Sequence, residues 1–235
     1  MREVCMKLAR PDIFHPRIVL AGPGAGELGD EGDEGDAGLV AALADRGLNA
    51  RLLAWDDPQA LDADLVILRT AGGERREAFA DWATRVPQLL NAPEVVAWNS
   101  AASYLSDLQC DGVATWEGSQ PPPITALVFF GGGRSHAFGA EGADPDFELW
   151  DLGRAALRAA AERLSIRIDE LLYARADVTG TAADPRLVRM DLVAPQFGWQ
   201  YLDAEERQLS QRRFAVQVGT ALDRLGLGPF AQRRP

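Results

Sequence analysis

Short apolar runs alternate with amphipathic stretches through the first half of this 235-residue chain. Arg17-Ile-Val-Leu-Ala-Gly22 is a continuous apolar run closed by glycine, and it reads as a strand. A loop of Gly, Asp and Glu follows, and then Leu39, Val40 and Leu43 repeat at helical spacing within Ala37 to Arg46. Asn49 to Trp55 and Asp64 to Arg69 read as two more strands, Arg75 to Leu90 as a helix, Glu94 to Trp98 as a fourth strand, and Ala101 to Cys110 as a helix. Strand and helix in alternation predict a parallel sheet with helices on its faces. The pattern changes at the Pro-rich stretch Gly118 to Pro123. Beyond it, Thr125 to Phe130 and Arg134 to Phe138 flank Gly131-Gly-Gly133 as a β-hairpin. A helix over Phe147 to Leu164, strands at Leu171 to Val178 and Leu187 to Val193, and an amphipathic helix over Ala204 to Leu225 complete an α+β second half.

With 47% apolar and 25% charged residues, a chain of this length can bury one large core or two small ones. A net charge of −11 excludes nonspecific binding to nucleic acid or to anionic membranes, since the summed field would repel both. A small molecule or a protein is the expected partner. Cys5 and Cys110 share no CxxC spacing and read as reduced, and His15 and His136 are too few for a zinc site. No run approaches the roughly 20 apolar residues of a spanning helix, and the N-terminus lacks a signal-peptide core, so the cytoplasm is the expected compartment.

Local motifs add little. Gly24-Ala-Gly26-Glu-Leu-Gly29 has the GxGxxG form, but Asp30, Glu31, Asp33, Glu34 and Asp36 follow at once and would repel a pyrophosphate. The same stretch lacks the later bidentate glutamate of an EF-hand loop. Ser135 and His136 are adjacent on a predicted strand, so their side chains point to opposite faces, and no GxSxG turn is present. One composition feature stands out: Lys7 is the only lysine beside 23 arginines.

An ordered set of short segments carries more. They are Trp55-Asp-Asp57, Asp64-Leu-Val-Ile-Leu-Arg69, Trp98-Asn99 with Tyr104-Leu-Ser-Asp-Leu108, Gly112-Val113 with Thr115-Trp116, Ala126-Leu-Val-Phe-Phe130 with Ser135-His-Ala137, and Leu172-Tyr-Ala-Arg-Ala-Asp177. In this order the chain resembles the ATP-grasp superfamily, in particular its cycloserine-synthetase-like branch. The resemblance implies an N-terminal extension (1–16), a preATP-grasp-like α/β domain with a parallel sheet (17–113), a Pro-rich connector (114–123) and a remnant ATP-grasp-like α+β domain (124–235). It also locates departures. The family inserts a subdomain with a Val-Val-Lys-Pro strand and an adenine-holding hinge where this chain has the connector. Family lysines and basic residues are expected where this chain has Ala101-Ala102 and Phe138-Gly139, and the first of two magnesium ligands falls at Arg189, two residues before Asp191. Phosphoryl transfer rests on positioning and charge, and each lost charge-assisted contact removes roughly 2 to 4 kcal/mol of transition-state stabilisation. ATP and magnesium are therefore not expected as cofactors.

What remains is the substrate side. Arg175 and Asp177 alternate with apolar neighbours and share one face of a strand, where the resemblance gives them substrate and metal roles. The hairpin residue His136 is the expected general acid or base, with Asp191 pairing Arg175 or orienting the imidazole. Arg69 and Asn99 end predicted strands of the first domain, where open α/β sheets bind ligands, and Arg189, Gln196 and Trp199 complete the expected substrate site, the last within an aromatic lid. A structural salt bridge for Arg175 and Asp177, and core packing for the aromatics, are the plain alternatives. The expectation is an ATP-independent enzyme of natural-product biosynthesis, acting by acid/base chemistry on an amino-acid-like or carboxylate intermediate. A noncatalytic partner subunit, as a homodimer or beside a pathway enzyme, and a residual ATP-dependent carboxylate-amine ligase are the alternatives.

Overall fold

The computed structural model describes residues 15–24, 36–118, 120, 123–140 and 144–228. The GxGxxG segment beyond Gly24, most of the acidic stretch, Lys7 and Cys5 lie outside the described residues.

Two four-stranded sheets organise these residues. The first is parallel, in the order β2-β1-β3-β4, with β1 Ile18–Gly22, β2 Ala50–Ala54, β3 Leu65–Leu68 and β4 Leu89–Leu90. Leu65 to Leu68 are all buried, as befits a central parallel strand covered on both faces. On one face lie α1 (Asp36–Ala44) and α6 (Ala204–Arg224), which bury Leu39, Leu43, Phe214 and Val218 against Ile18, Leu20 and Ile67. On the other lie α2 (Arg76–Ala83) and α3 (Pro93–Ser100), which supply Phe79, Trp82 and Val96 to a second cluster with Val19, Val66 and Leu68.

The second sheet is antiparallel, in the order β6-β5-β7-β8, with β5 Thr125–Phe130, β6 Gly133–Gly139, β7 Tyr173–Thr181 and β8 Asp184–Asp191. The helix α5 (Phe147–Arg163) covers the face bearing Leu127, Phe129 and Ala176. The opposite face, bearing Ala126, Val128, Phe130 and Tyr173, joins the core that α6 shares with the first sheet. One apolar core therefore spans both sheets. α4 (Tyr104–Cys110) leads into the connector, and Thr115 pairs in parallel with Leu187 along β8.

Two expected elements differ. The helix expected to reach Leu90 stops at Ala83, and Leu89–Leu90 supply the fourth strand instead. Residues 94 to 98, expected as a strand, lie in α3, whose first residue is Pro93. Proline at a first helical position starts a helix well, and a short buried run such as Val95-Val96 has no period that separates helix from strand.

Candidate functional site

The antiparallel pairing fixes which side chains share the inner face of the second sheet. One row across it reads His136, Val128, Arg175, Asp191, and the next reads Phe138, Ala126, Asp177, Arg189. Asp177 sits between two guanidiniums. Its Oδ1 accepts from Arg175 Nε at 2.6 Å, and its Oδ2 accepts from Arg189 Nε at 3.1 Å and lies 3.0 Å from Arg189 Nη2. The carboxylate is 3% exposed and the Arg175 side chain 11%, whereas Arg189 is 53% exposed. The buried carboxylate thus holds one sheltered and one open arginine, with the Asp191 carboxylate next to Arg175 in the neighbouring row.

The segment Pro195 to Tyr201 crosses this face as a strap. Three successive carbonyls pin it: Pro195 O accepts from Arg69 Nη1 at 3.1 Å, Gln196 O from Arg175 Nη1 at 3.4 Å, and Phe197 O from His136 Nε2 at 2.6 Å. Arg69 also donates from Nε to Asp36 at 2.9 Å, and its guanidinium lies 4.1 Å from the centre of the Phe197 ring. Gly198 turns the strap with φ +70°, and a side chain there would run into Phe138. Phe197 and Trp199 are core residues at 0% and 1% exposure, so the expected aromatic lid is instead a packed plug. Tyr201 alone of the three aromatics stays in solvent, stacked on Phe138 at 5.2 Å.

His136 is enclosed by this plug. Donation from Nε2 to Phe197 leaves Nδ1 as acceptor, with the hydroxyls of Ser135 and Ser210 at 3.0 and 2.8 Å; Ser135, expected on the opposite face, reaches the ring because the β5–β6 register shifts there and skips it. The ring stacks on Trp199 at 5.6 Å. Burial pushes its pKa from 6.5 down to about 4, against the Phe197 bond, which favours the charged form. The imidazole faces aromatic side chains rather than an open cleft.

Other expected positions have structural partners too. Asn99 ends α3 rather than a strand, and its amide clips that helix to β8, donating to Met190 O at 3.1 Å and accepting from Leu192 N at 2.7 Å. Asp191 accepts from the amides of Val193 and Ala194 at 3.0 and 3.2 Å. The expected partnership of Asp191 with Arg175 or His136 is absent among the described residues, because the turn after β8 takes up its carboxylate. The Gln196 side chain is exposed.

Three more polar residues at the site, Asn91, Tyr173 and Tyr104, are not among the expected site residues. The Asn91 side chain is buried and bridges the sheets, donating to Tyr173 O and Leu192 O and accepting from Leu172 N. The Tyr173 hydroxyl lies within 3.2 Å of the carbonyls of Leu68, Leu90 and Val193, and burial raises its pKa. Tyr104 accepts from Met190 N at 3.3 Å, which leaves its own proton free to donate beside Arg189, and burial raises its pKa. Among the described residues, no three His, Cys, Asp or Glu side chains converge as a metal site.

Comparison with known proteins fits this architecture. Residues 18–91 match the family model described as the N-terminal domain of D-cycloserine synthetase DcsG. No curated protein matches the chain. Among solved structures, D-cycloserine synthetase DcsG aligns with a TM-score of 0.70 at 19% identity, covering 86% of this chain and 98% of that one. The D-alanine–D-alanine ligase of Bacillus anthracis, complexed with ATP, aligns with a TM-score of 0.62 at 10% identity, covering 89% and 98%. The ATP-grasp ligase PsnB, complexed with a minimal precursor, aligns with a TM-score of 0.55 at 12% identity, covering 87% and 100%. Residues 18–91 are thus similar to the N-terminal domain of DcsG, and across most of its length the chain has the fold of the solved ATP-grasp ligases.

Proposed function

We propose that this protein is an ATP-independent derivative of the ATP-grasp ligases that holds a small carboxylate-bearing, amino-acid-like intermediate of natural-product biosynthesis at Arg175 and Arg189. The observation that carries the reading is Asp177, whose two oxygens are both taken by arginines on the inner sheet face. A carboxylate committed in this way orients guanidiniums for an anion and is not available to a magnesium ion. Arg189 presents the open end, Arg175 the sheltered end, and Tyr104 a hydroxyl donor beside them. The strap supports ATP independence, since its aromatic side chains fill the inner face on the side of β5 and β6. General acid/base catalysis by His136 is not part of this reading, because both ring nitrogens are engaged inside the plug.

The strap also favours a second reading, a noncatalytic partner subunit in which the arginine pair binds a carboxylate without turning it over. Calorimetry on the full chain addresses both. Lactate, a carboxylate without an ammonium group, is titrated into wild type and into Arg189→Ala, and ATP with magnesium is titrated separately. The expected result is carboxylate binding weakened at least tenfold in the variant, about 1.4 kcal/mol or more, with no heat from ATP. Undiminished carboxylate binding by Arg189→Ala sinks the assignment, and saturable ATP binding restores the ligase reading. Turnover of a bound carboxylate separates an enzyme from a partner subunit.

A further inference from the structure

The first sheet carries a groove outside this site. It lies between α2 and α3, reaches Ala71 just beyond the carboxyl end of β3, and has a volume of about 370 Å³. Ligands of open α/β sheets gather outside the carboxyl ends of strands, and small-molecule sites usually enclose roughly 300 to 1,000 Å³. The groove exists because Ala80 on α2 and Ala97 and Ser100 on α3 carry small side chains where two packed helices would ordinarily interdigitate larger ones. Its floor is apolar and buried, formed by Phe79 and Val96.

Two opposite charges stand at the mouth. Arg76 and Glu77 open α2, both are exposed, and neither has a hydrogen bond or ion pair among the described residues. A purely apolar guest would leave both charges unmatched, and a simple carboxylate would match Arg76 while facing Glu77 with like charge. A zwitterion satisfies both. We infer that the groove binds a free apolar α-amino acid, with its carboxylate on Arg76, its ammonium on Glu77 and its side chain between Ala80 and Ala97. Asn99 on α3 is turned to β8, while Val96, Ala97 and Ser100 line the groove, so this site is separate from the arginine pair on the inner sheet face.

Calorimetry on the full chain tests this with L-leucine and D-leucine as probes. N-acetyl-leucine, which lacks the ammonium, and isoamylamine, which lacks the carboxylate, are the controls. At least one leucine enantiomer is expected to bind, and each control about tenfold more weakly, the effect of one charge-assisted contact. Arg76→Gln is expected to weaken leucine to a similar degree. Ala97→Trp fills the groove from an exposed position and abolishes binding, with the melting temperature as the check on folding. The inference fails if neither enantiomer binds, if N-acetyl-leucine binds as well as leucine, or if folded Ala97→Trp binds like wild type. Leucine binding that survives both Arg76→Gln and Ala97→Trp would belong elsewhere and overturn the groove, while lactate binding at the inner sheet face stands or falls on its own.

Discussion

Burial holds His136 neutral, with its pKa lowered from 6.5 to about 4. Between those values the unfolded chain takes up a proton that the folded chain refuses, so the unfolded state binds more protons and stability falls as pH falls. The contribution is fully present above pH 6.5 and is lost progressively toward pH 4, about 3 kcal/mol in all at 1.36 kcal/mol per unit. Urea unfolding at pH 7 and pH 4.5 checks this. His136→Gln, which keeps a donor for the Phe197 carbonyl, is expected to lose markedly less stability over that interval than wild type; an identical loss would assign the pH dependence elsewhere. At this scale the sequence is informative only where parity decides. Arg175 and Asp177 are two residues apart on a strand and do share a face and an ion pair. The surroundings of His136 come from Phe197, Trp199 and Ser210, which are 61 to 74 residues away, and no local pattern brings them together.

Among the elements, α3 and the strap depend most on tertiary contacts. Apolar runs at β1, β3 and β5 announce themselves because a fully buried strand has few polar positions. α3 does not, because its burial comes from packing on both neighbouring layers, and its polar residue Asn99 serves β8 rather than solvent. Asn91 plays the corresponding part just before α3, making three hydrogen bonds to the backbone of residues 172, 173 and 192. Replacing it with alanine leaves buried backbone groups unpaired at about 1 to 3 kcal/mol each, partly relieved by relaxation or water. Asn91→Ala is expected to cost at least about 3 kcal/mol in chemical denaturation; a loss below 1 kcal/mol would show that the clip between the sheets is dispensable.

For the whole molecule, the two halves distinguished by sequence pattern do not keep separate cores. Residues of β1 and β3 share one apolar cluster with β5, β7, the strap and α6. Chemical unfolding is therefore expected to be a single transition, with far-ultraviolet circular dichroism and tryptophan fluorescence coinciding; two resolved transitions would mean that the sheets unfold independently. The hydrophobic pattern anticipated the α/β to α+β change and most of the elements, the segment from Ala83 to Ser100 apart. It did not anticipate that Arg69, Arg175 and His136 would each donate to a carbonyl of the strap, because that outcome depends on where one loop lies.

The packing of α6 against α1 also sets a timetable for synthesis. The parallel sheet leaves the ribosome early, yet one of its faces is closed by the helix that ends at Arg224. At about 5 to 20 residues per second, Ile18, Leu20 and Ile67 wait on the order of tens of seconds for Phe214 and Val218 to cover them. During that interval the nascent first domain presents an apolar sheet face covered by α1 alone to the cell's chaperones.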